Sequence, residues 1–309
     1  MLYRIRQVNY MPNDVRSSLI NFVIQDEVVG KVDPKTANLL VETKSKDRDS
    51  VFMIEEDDTK TLKLSPEVEN SSFDDKTAAV NEIMEALRDD GIIKGWRDEL
   101  YPVGSSYYTS PLMLMERAAV SLFGILEYGV HINGLVKQQK QGDPPLMWMA
   151  RRSPTKSKFP NMLDHIVAGG QPAGLSLIDN VIKECEEEAG IPEHLTKDGI
   201  TSTGAISYET YSNGSNGNGL GKVSRVILFT YDLYLPNDFQ PIPCDGEVDE
   251  FFKWDNKQLF ESMDPNYPDP IKPNCYVVII DYLLRNGYLN PSIPGYLDIL
   301  KELRSGDCK

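Results

Sequence analysis

Glu184, Glu187 and Glu188 fall within the run Lys183-Glu184-Cys185-Glu186-Glu187-Glu188-Ala189-Gly190, and their spacing is the most chemically pointed feature of the chain. On an α-helix, residues four apart share a face, so Glu184 and Glu188 stand one turn apart with Glu187 on the adjoining edge. Ile178, Val181 or Ile182, Cys185 and Ala189 recur at helical spacing and predict a buried stripe. A helix that buries one side and stacks carboxylates on another is equipped to hold a hard cation. Mg²⁺ takes oxygen ligands and keeps some of its water, so carboxylates plus substrate phosphates suit it, and Mn²⁺ accepts the same donors. Gly190 is placed to end the helix in a left-handed cap, and Gly169-Gly170 predicts a tight turn in the backbone before it.

An isolated acidic helix face is usually no more than a solvated surface. The frame around this one says otherwise, because a paired glycine lies upstream, a basic residue precedes the first Glu, and Gly-Ile follows the last. The segment resembles the signature box of the Nudix hydrolases: Gly, five residues, Glu, seven residues, Arg-Glu-aliphatic, any, Glu-Glu, any, Gly-aliphatic. Gly169, Glu184, Glu187, Glu188, Gly190 and Ile191 match, and Lys183 replaces the arginine. Leu175 stands where the first Glu belongs, and Cys185 where an aliphatic residue is usual. In the family that first Glu braces the loop against the arginine, so the resemblance implies a loop braced differently here with the metal-binding acids intact.

The elements that must position these residues fit an enzyme of two parts. A chain of 309 residues is long for one core. Residues 1–120 read as a small α/β domain and 121–309 as the hydrolase domain. The fold class is α/β (α+β), and the resemblance implies an αβα sandwich with a mixed sheet. In the first part, 19–32 reads as strand with Gly30 as a turn or bulge, and 51–54 and 62–64 as strands joined through the acidic turn at 55–58. Asp74 or Asp75 is placed to cap a helix through Leu87 stopped by Gly91, and a second helix is expected from Pro111 with Leu114, Ala118, Leu122 and Ile125 on one face. In the second part, strands are expected over 126–136, 146–150, 166–168 and 248–254. A hairpin is expected over 200–208 and 223–235, and an apolar helix over 276–284. Between the hairpin strands, 211–221 is almost free of apolar side chains and reads as a flexible connector, with a lid over a diphosphate tail as the alternative.

The formal charge of −15, from 32 basic and 47 acidic residues, would repel nucleic acid, and no basic stripe offsets it. Cys185, Cys244, Cys275 and Cys308 show neither C-x-x-C pairing nor metal spacing and read as reduced thiols. The start lacks a signal-peptide core, and no apolar run approaches a membrane span, so a cytoplasmic protein is expected.

Phrases outside the box narrow the resemblance. Phe159-Pro160-Asn161-Met162-Leu163-Asp164 leads to Val167-Ala168-Gly169-Gly170, and Gly204-Ala205-Ile206-Ser207-Tyr208 follows the box. Asp245-Gly246-Glu247-Val248-Asp249-Glu250-Phe251 comes next, then Lys272-Pro273-Asn274-Cys275 before Asp281-Tyr282-Leu283-Leu284-Arg285-Asn286-Gly287-Tyr288. Together they look like the Nudix subgroup that accompanies thiamine metabolism, whose members carry an extra N-terminal α/β domain and are in some relatives fused to a thiamine pyrophosphokinase domain. That resemblance implies hydrolysis of oxothiamine, oxythiamine or thiamine diphosphate to the monophosphate and phosphate.

In that chemistry Glu184 and Glu188 are the expected metal ligands, with Glu187 on a second ion or a bridging water. Glu247 is the expected base or additional ligand, and Glu250 its reserve. Arg151, Arg152, Lys156, Lys158, Lys183 and Arg225 are candidate phosphate-facing cations, each more often a solvated charge when taken alone. Trp148, Tyr208 and Trp254 could stack on a flat ring, though strand aromatics are usually core. His131, His165 and His194 share no ligand spacing and read as structural or surface residues. Competing readings are a Nudix pyrophosphatase for ADP-ribose or an oxidised nucleoside diphosphate, and a non-catalytic diphosphate sensor. The partner in each is a small-molecule diphosphate. For residues 1–120, shaping the pocket, forming a homodimer surface and covering an apolar face all stay open.

Overall fold

The computed structural model describes all residues except 57–59, 141, 214–219 and 307–309. The central part of the 211–221 connector and part of the 55–58 turn therefore lie outside the described residues. Two compact units interleave along the sequence. One comprises Met1–Asn9, Tyr128–Tyr208 and Ile227–Ser305, and the other Tyr10–Glu127, Glu209–Val226 and Gly306–Lys309.

The second of these units is built on a mixed four-stranded sheet. Its strands are β1 (Ile20–Ile24), β2 (Glu27–Val32), β3 (Phe52–Glu56) and β4 (Lys60–Leu64), in the order β2-β1-β4-β3 with β1 and β4 parallel. The 19–32 segment is a hairpin, turned at Gln25 and Asp26, both of which have positive φ. Gly30 lies within β2, where a Cβ would sit 2.3 Å from the Phe123 carbonyl oxygen. It borders the bulge of this hairpin, where Phe22 pairs with Gly30 and Val23 with Val28, and its missing side chain permits the close approach. Phe22, Phe52 and Phe123 meet in the core with ring centroids 5.3–6.1 Å apart. The helix Phe73–Asp89 packs Ala79, Val80, Ile83, Met84 and Leu87 inward, but Ser72 is its cap, with Asp74 and Asp75 in the first turn. The helix expected from Pro111 is instead strand β6 (Met113–Glu116), paired with β5 (Leu100–Val103) and followed only by short helical turns to Phe123. The spacing of Leu114, Ala118, Leu122 and Ile125 instead runs from a strand residue into short turns, while Met113 and Met115 alternate into the core.

The other unit carries the sheet that positions the acidic helix. Its sheet is formed by β7 (Leu126–Val136), β8 (Leu146–Arg152), β9 (Leu163–His165), β10 (Val167–Gly170), β11 (Ile200–Asn213), β12 (Gly221–Tyr234) and β13 (Val248–Trp254), of which the 209–213 stretch of β11 and the 221–226 stretch of β12 are counted with the other unit. The main order is β11-β12-β7-β8-β13, with β10 on β7 and β9 on β8. Residues alternate across a strand. Val130, Ile132 and Val136 of β7 join Val181, Cys185 and Ala189 of the acidic helix, whereas His131, from the opposite face, meets Cys275 of the helix Pro273–Arg285. Helices thus cover both faces, an αβα sandwich. The helix Leu2–Val8, which no sequence signal announced, belongs to this unit. Arg4 donates to the Ser262 and Asp264 carbonyls and lies 4.1 Å over the Tyr276 ring. No helix among the described residues is long and apolar enough to cross a membrane.

Candidate active site

The acidic helix runs from Leu177 to Ala189. Ser176 caps its start by accepting from the Asp179 amide, and Gly190 ends it in a left-handed conformation (φ 60°, ψ 29°). Val181, Cys185 and Ala189 are buried, whereas Ile178 is 42% exposed, so the apolar stripe begins one turn later than its spacing implied. Burial pushes the Cys185 thiol up to about 12.

Gly169 and Gly170 make no tight turn. Both lie in β10, and a Cβ on Gly169 would come within 2.3 Å of the Glu184 carboxyl carbon. The missing side chain lets the first acid lie flat against the strand. Glu188 is 8% exposed and accepts from the Ala168 amide at 3.1 Å, with no cation beside it among the described residues. Burial, then repulsion from Glu184, raises its proton affinity well above that of an ordinary carboxylate. Burial also raises Glu184, against the pull of Lys183. Glu187, 52% exposed, pairs with Lys183 at 2.7 Å.

The loop between β10 and the helix is braced through Gln171, which is buried. Its side-chain amide donates to the Leu175 carbonyl at 2.6 Å, while Asn180 donates to Gln171 at 3.1 Å and to the Gly170 carbonyl at 2.9 Å. This neutral network holds the loop in which Leu175 replaces an acid.

Ala150, Arg152, Asp164, His165, Ala168, Glu188, Glu247 and Val248 line a small open cleft. Two carboxylates are thus among its lining residues, Glu188 from the helix and Glu247 from just before β13. Repulsion from Glu247 is among the influences on Glu188. The donor set around Glu184 and Glu188 is all oxygen, partly buried and short of positive charge, which fits a hard divalent cation.

Comparison with known proteins agrees with this arrangement. Residues 128–273 match the NUDIX domain model, and residues 1–127 match a domain of unknown function, DUF4743. Nudix hydrolase 20, chloroplastic, from Arabidopsis thaliana is 39% identical over 94% of this chain and 74% of its own length. The chain belongs to the Nudix hydrolase family. Nudix hydrolase 24, chloroplastic, of the same plant is 41% identical over 76% of this chain and 61% of its own length. Among solved structures, a MutT/nudix family protein from Enterococcus faecalis overlaps 58% of this chain and 68% of its own with a TM-score of 0.38 and 15% identity. Nudix hydrolases act on pyrophosphate bonds and generally use divalent ions such as Mg²⁺.

In this Nudix hydrolase most of the basic residues singled out from sequence are already engaged. Arg151 makes a two-pronged contact with Asp269 at 2.7 and 3.0 Å and reaches Glu250 at 2.9 Å, which raises its already high pKa further. Glu250 is not among the residues lining the cleft. Arg152 binds Asp164 at 2.7 Å and the carbonyls of Lys158 and Phe159, and so anchors the loop in which Phe159 and Asn161 take positive φ. Lys156 pairs with Glu247 at 2.5 Å, and Lys158 is exposed. Arg225 belongs to the other unit, where it is buried and donates to the Gly124 carbonyl at 3.2 Å. Trp148 is 3% exposed, packed in the cluster beneath the acidic helix with Lys253 over its ring. Tyr208 and Trp254 are also buried. His194 is exposed.

Asp164 carries more than its sequence context signalled. Burial alone would raise its carboxyl, but Lys272 at 3.2 Å and Arg152 hold it well below the usual carboxylate range. Its other oxygen accepts from the His165 amide and lies 2.7 Å from Cys275 Sγ. Asp164, Lys272 and Cys275 all fall in the phrases that carried the wider resemblance, yet nothing in their spacing joins 164 to 272.

Proposed function

We propose that this Nudix hydrolase cleaves the terminal anhydride of a small organic diphosphate, most specifically oxothiamine, oxythiamine or thiamine diphosphate, giving the monophosphate and inorganic phosphate. The observation that carries the hydrolytic part is the cleft, which Glu188, buried near Glu184 with no ion pair among the described residues, lines together with Glu247. The substrate part rests on the long phrases around Asp164, Tyr208, Glu247 and Cys275.

Glu184 and Glu188 would hold Mg²⁺, with Glu187 at its solvent side. Bound there, the ion would neutralise phosphate oxygens and the charge that develops on the leaving oxygen. Glu247 stands at the cleft to accept the proton of the attacking water, and Lys156, in contact with it, keeps its carboxylate oriented. Arg152 offers the cleft its one lining guanidinium, already steered by Asp164. The buried positions of Trp148, Tyr208 and Trp254 assign them to the framework, so the organic ring would be read by groups at the cleft rim. The division into an N-terminal domain over 1–120 and a hydrolase domain over 121–309 belongs to this reading, as does a cytoplasmic location, although the two plant relatives are named chloroplastic.

The test is phosphate release with Mg²⁺ from oxothiamine, oxythiamine and thiamine diphosphates, with ADP-ribose and 8-oxo-dGDP in parallel. Higher kcat/KM on the oxidised thiamine compounds supports the full proposal. Turnover of ADP-ribose or 8-oxo-dGDP alone keeps the hydrolase and discards the thiamine assignment. Tight binding without turnover of any compound discards both.

A further inference from the structure

We propose that His131, His165 and Cys275 form a second metal site, for a borderline cation such as Zn²⁺, separate from the glutamates of the acidic helix. The three residues come from β7, β9 and the first turn of the helix Pro273–Arg285, and all are buried. One ligand atom from each lies within 4.8 Å of the other two. The two Nδ1 atoms are 3.2 Å apart with the rings nearly perpendicular at 81°. Tetrahedral Zn²⁺ with Zn–N bonds of about 2.0–2.1 Å separates two nitrogens by about 3.3 Å. Two imidazoles and a thiolate suit Zn²⁺, whereas Mg²⁺ prefers the oxygens of the glutamates.

Hydrogen bonding points the same way. Among the described residues His165 Nδ1 meets only His131 Nδ1, so the pair shares a single contact that a cation can replace. Asp164 supplies an outer layer: Oδ1 faces the Cys275 sulfur, while Oδ2 is held by Arg152 and Lys272. Binding would release the Cys275 thiol proton to solvent, and the cation's charge would offset the repulsion between the thiolate and Oδ1. His165 and Asp164 line the cleft, which gives an ion its way in. The ion would pin two strands to a helix at the floor of the cleft. Its three ligands are not the glutamates Glu184, Glu188 and Glu247 that carry the hydrolytic reading, so either can fail alone.

The experiment titrates the metal-stripped full chain with Co²⁺ in excess Mg²⁺, which occupies the glutamates. One equivalent of Co²⁺ should give a thiolate-to-cobalt charge-transfer band that Zn²⁺ displaces, a signature no oxygen-only site produces. Cys275→Ser should abolish the band and weaken Zn²⁺ binding at least about a hundredfold, while Glu188→Gln should keep both. No band in the wild-type chain overturns the proposal, as does a band that survives Cys275→Ser, since another thiol would then be the ligand. If Cys275→Ser fails to fold, Zn-edge X-ray absorption of the wild-type chain decides. One sulfur at about 2.3 Å with two nitrogens near 2.0 Å supports the site, and a shell without sulfur overturns it.

Discussion

Glu188 and Asp164 line the same cleft and are almost equally buried, at 8% and 6% exposure, yet their surroundings treat them in opposite ways. Burial raises the proton affinity of both. Glu188 receives one neutral amide and a second carboxylate nearby, so it is raised further. Asp164 receives Lys272, Arg152, the Cys275 thiol and an amide, and is driven well down. A buried carboxylate is tolerable only when its charge is offset. The strand side of the cleft supplies that offset from within the chain. The helix side leaves it to come from outside, which is what a metal-dependent enzyme requires of its ligands.

The sharpest way to break this contrast is Glu188→Gln. Turnover should fall roughly 10²–10³-fold, in keeping with loss of a group that stabilises charge in the transition state. The metal-free protein should at the same time gain about 1 kcal/mol, because an uncompensated buried acid has been removed. Kinetics in Mg²⁺ and denaturant unfolding in chelator measure the two effects. Retained turnover, or a metal-free variant less stable than wild type, would show that Glu188 is not the ligand-in-waiting described here.

Asp164→Asn should do the reverse. It leaves Lys272 and Arg152 facing a neutral amide, and breaking a buried pair from one side costs about 3 kcal/mol. The loss should appear in unfolding with or without Mg²⁺. A variant of unchanged stability but collapsed turnover would move Asp164 from the framework into the chemistry.

How much of this could be read from residues alone follows from the range of the interactions. The acidic helix, its glycine cap and its shared carboxylate face depend on neighbours three and four apart, so the sequence carried them. The Pro111 helix failed because Met113 and Met115 alternate only over four residues, too short a run to outweigh a helical spacing that continues through Leu122. Arg151 and Arg152 looked like phosphate ligands because their partners, Asp269 and Asp164, are separated from them by 118 and 12 positions. His131, His165 and Cys275 share no sequence spacing at all. β7, β9 and the helix Pro273–Arg285 bring them together, and only the topology shows it.

The smallest expected effect concerns the brace of the loop before the acidic helix. Gln171 binds the Leu175 carbonyl and receives Asn180, standing in for a charged brace with neutral bonds. Gln171→Ala leaves that carbonyl and one Asn180 donor proton without their partner, a loss of about 1 kcal/mol in unfolding. It removes no charge, so proton affinity at Glu188 should stay put and kcat/KM should drop only severalfold as the loop loosens around Glu184. Adding Leu175→Glu to that variant tests the brace itself. Lys183 lies within reach of Glu184 and Glu187, and a third acid competing for it should not restore stability. Full rescue would mean that the loop can still use a charged brace, and that the neutral network in this chain is a substitution of convenience rather than a requirement of the contrast between the two sides of the cleft.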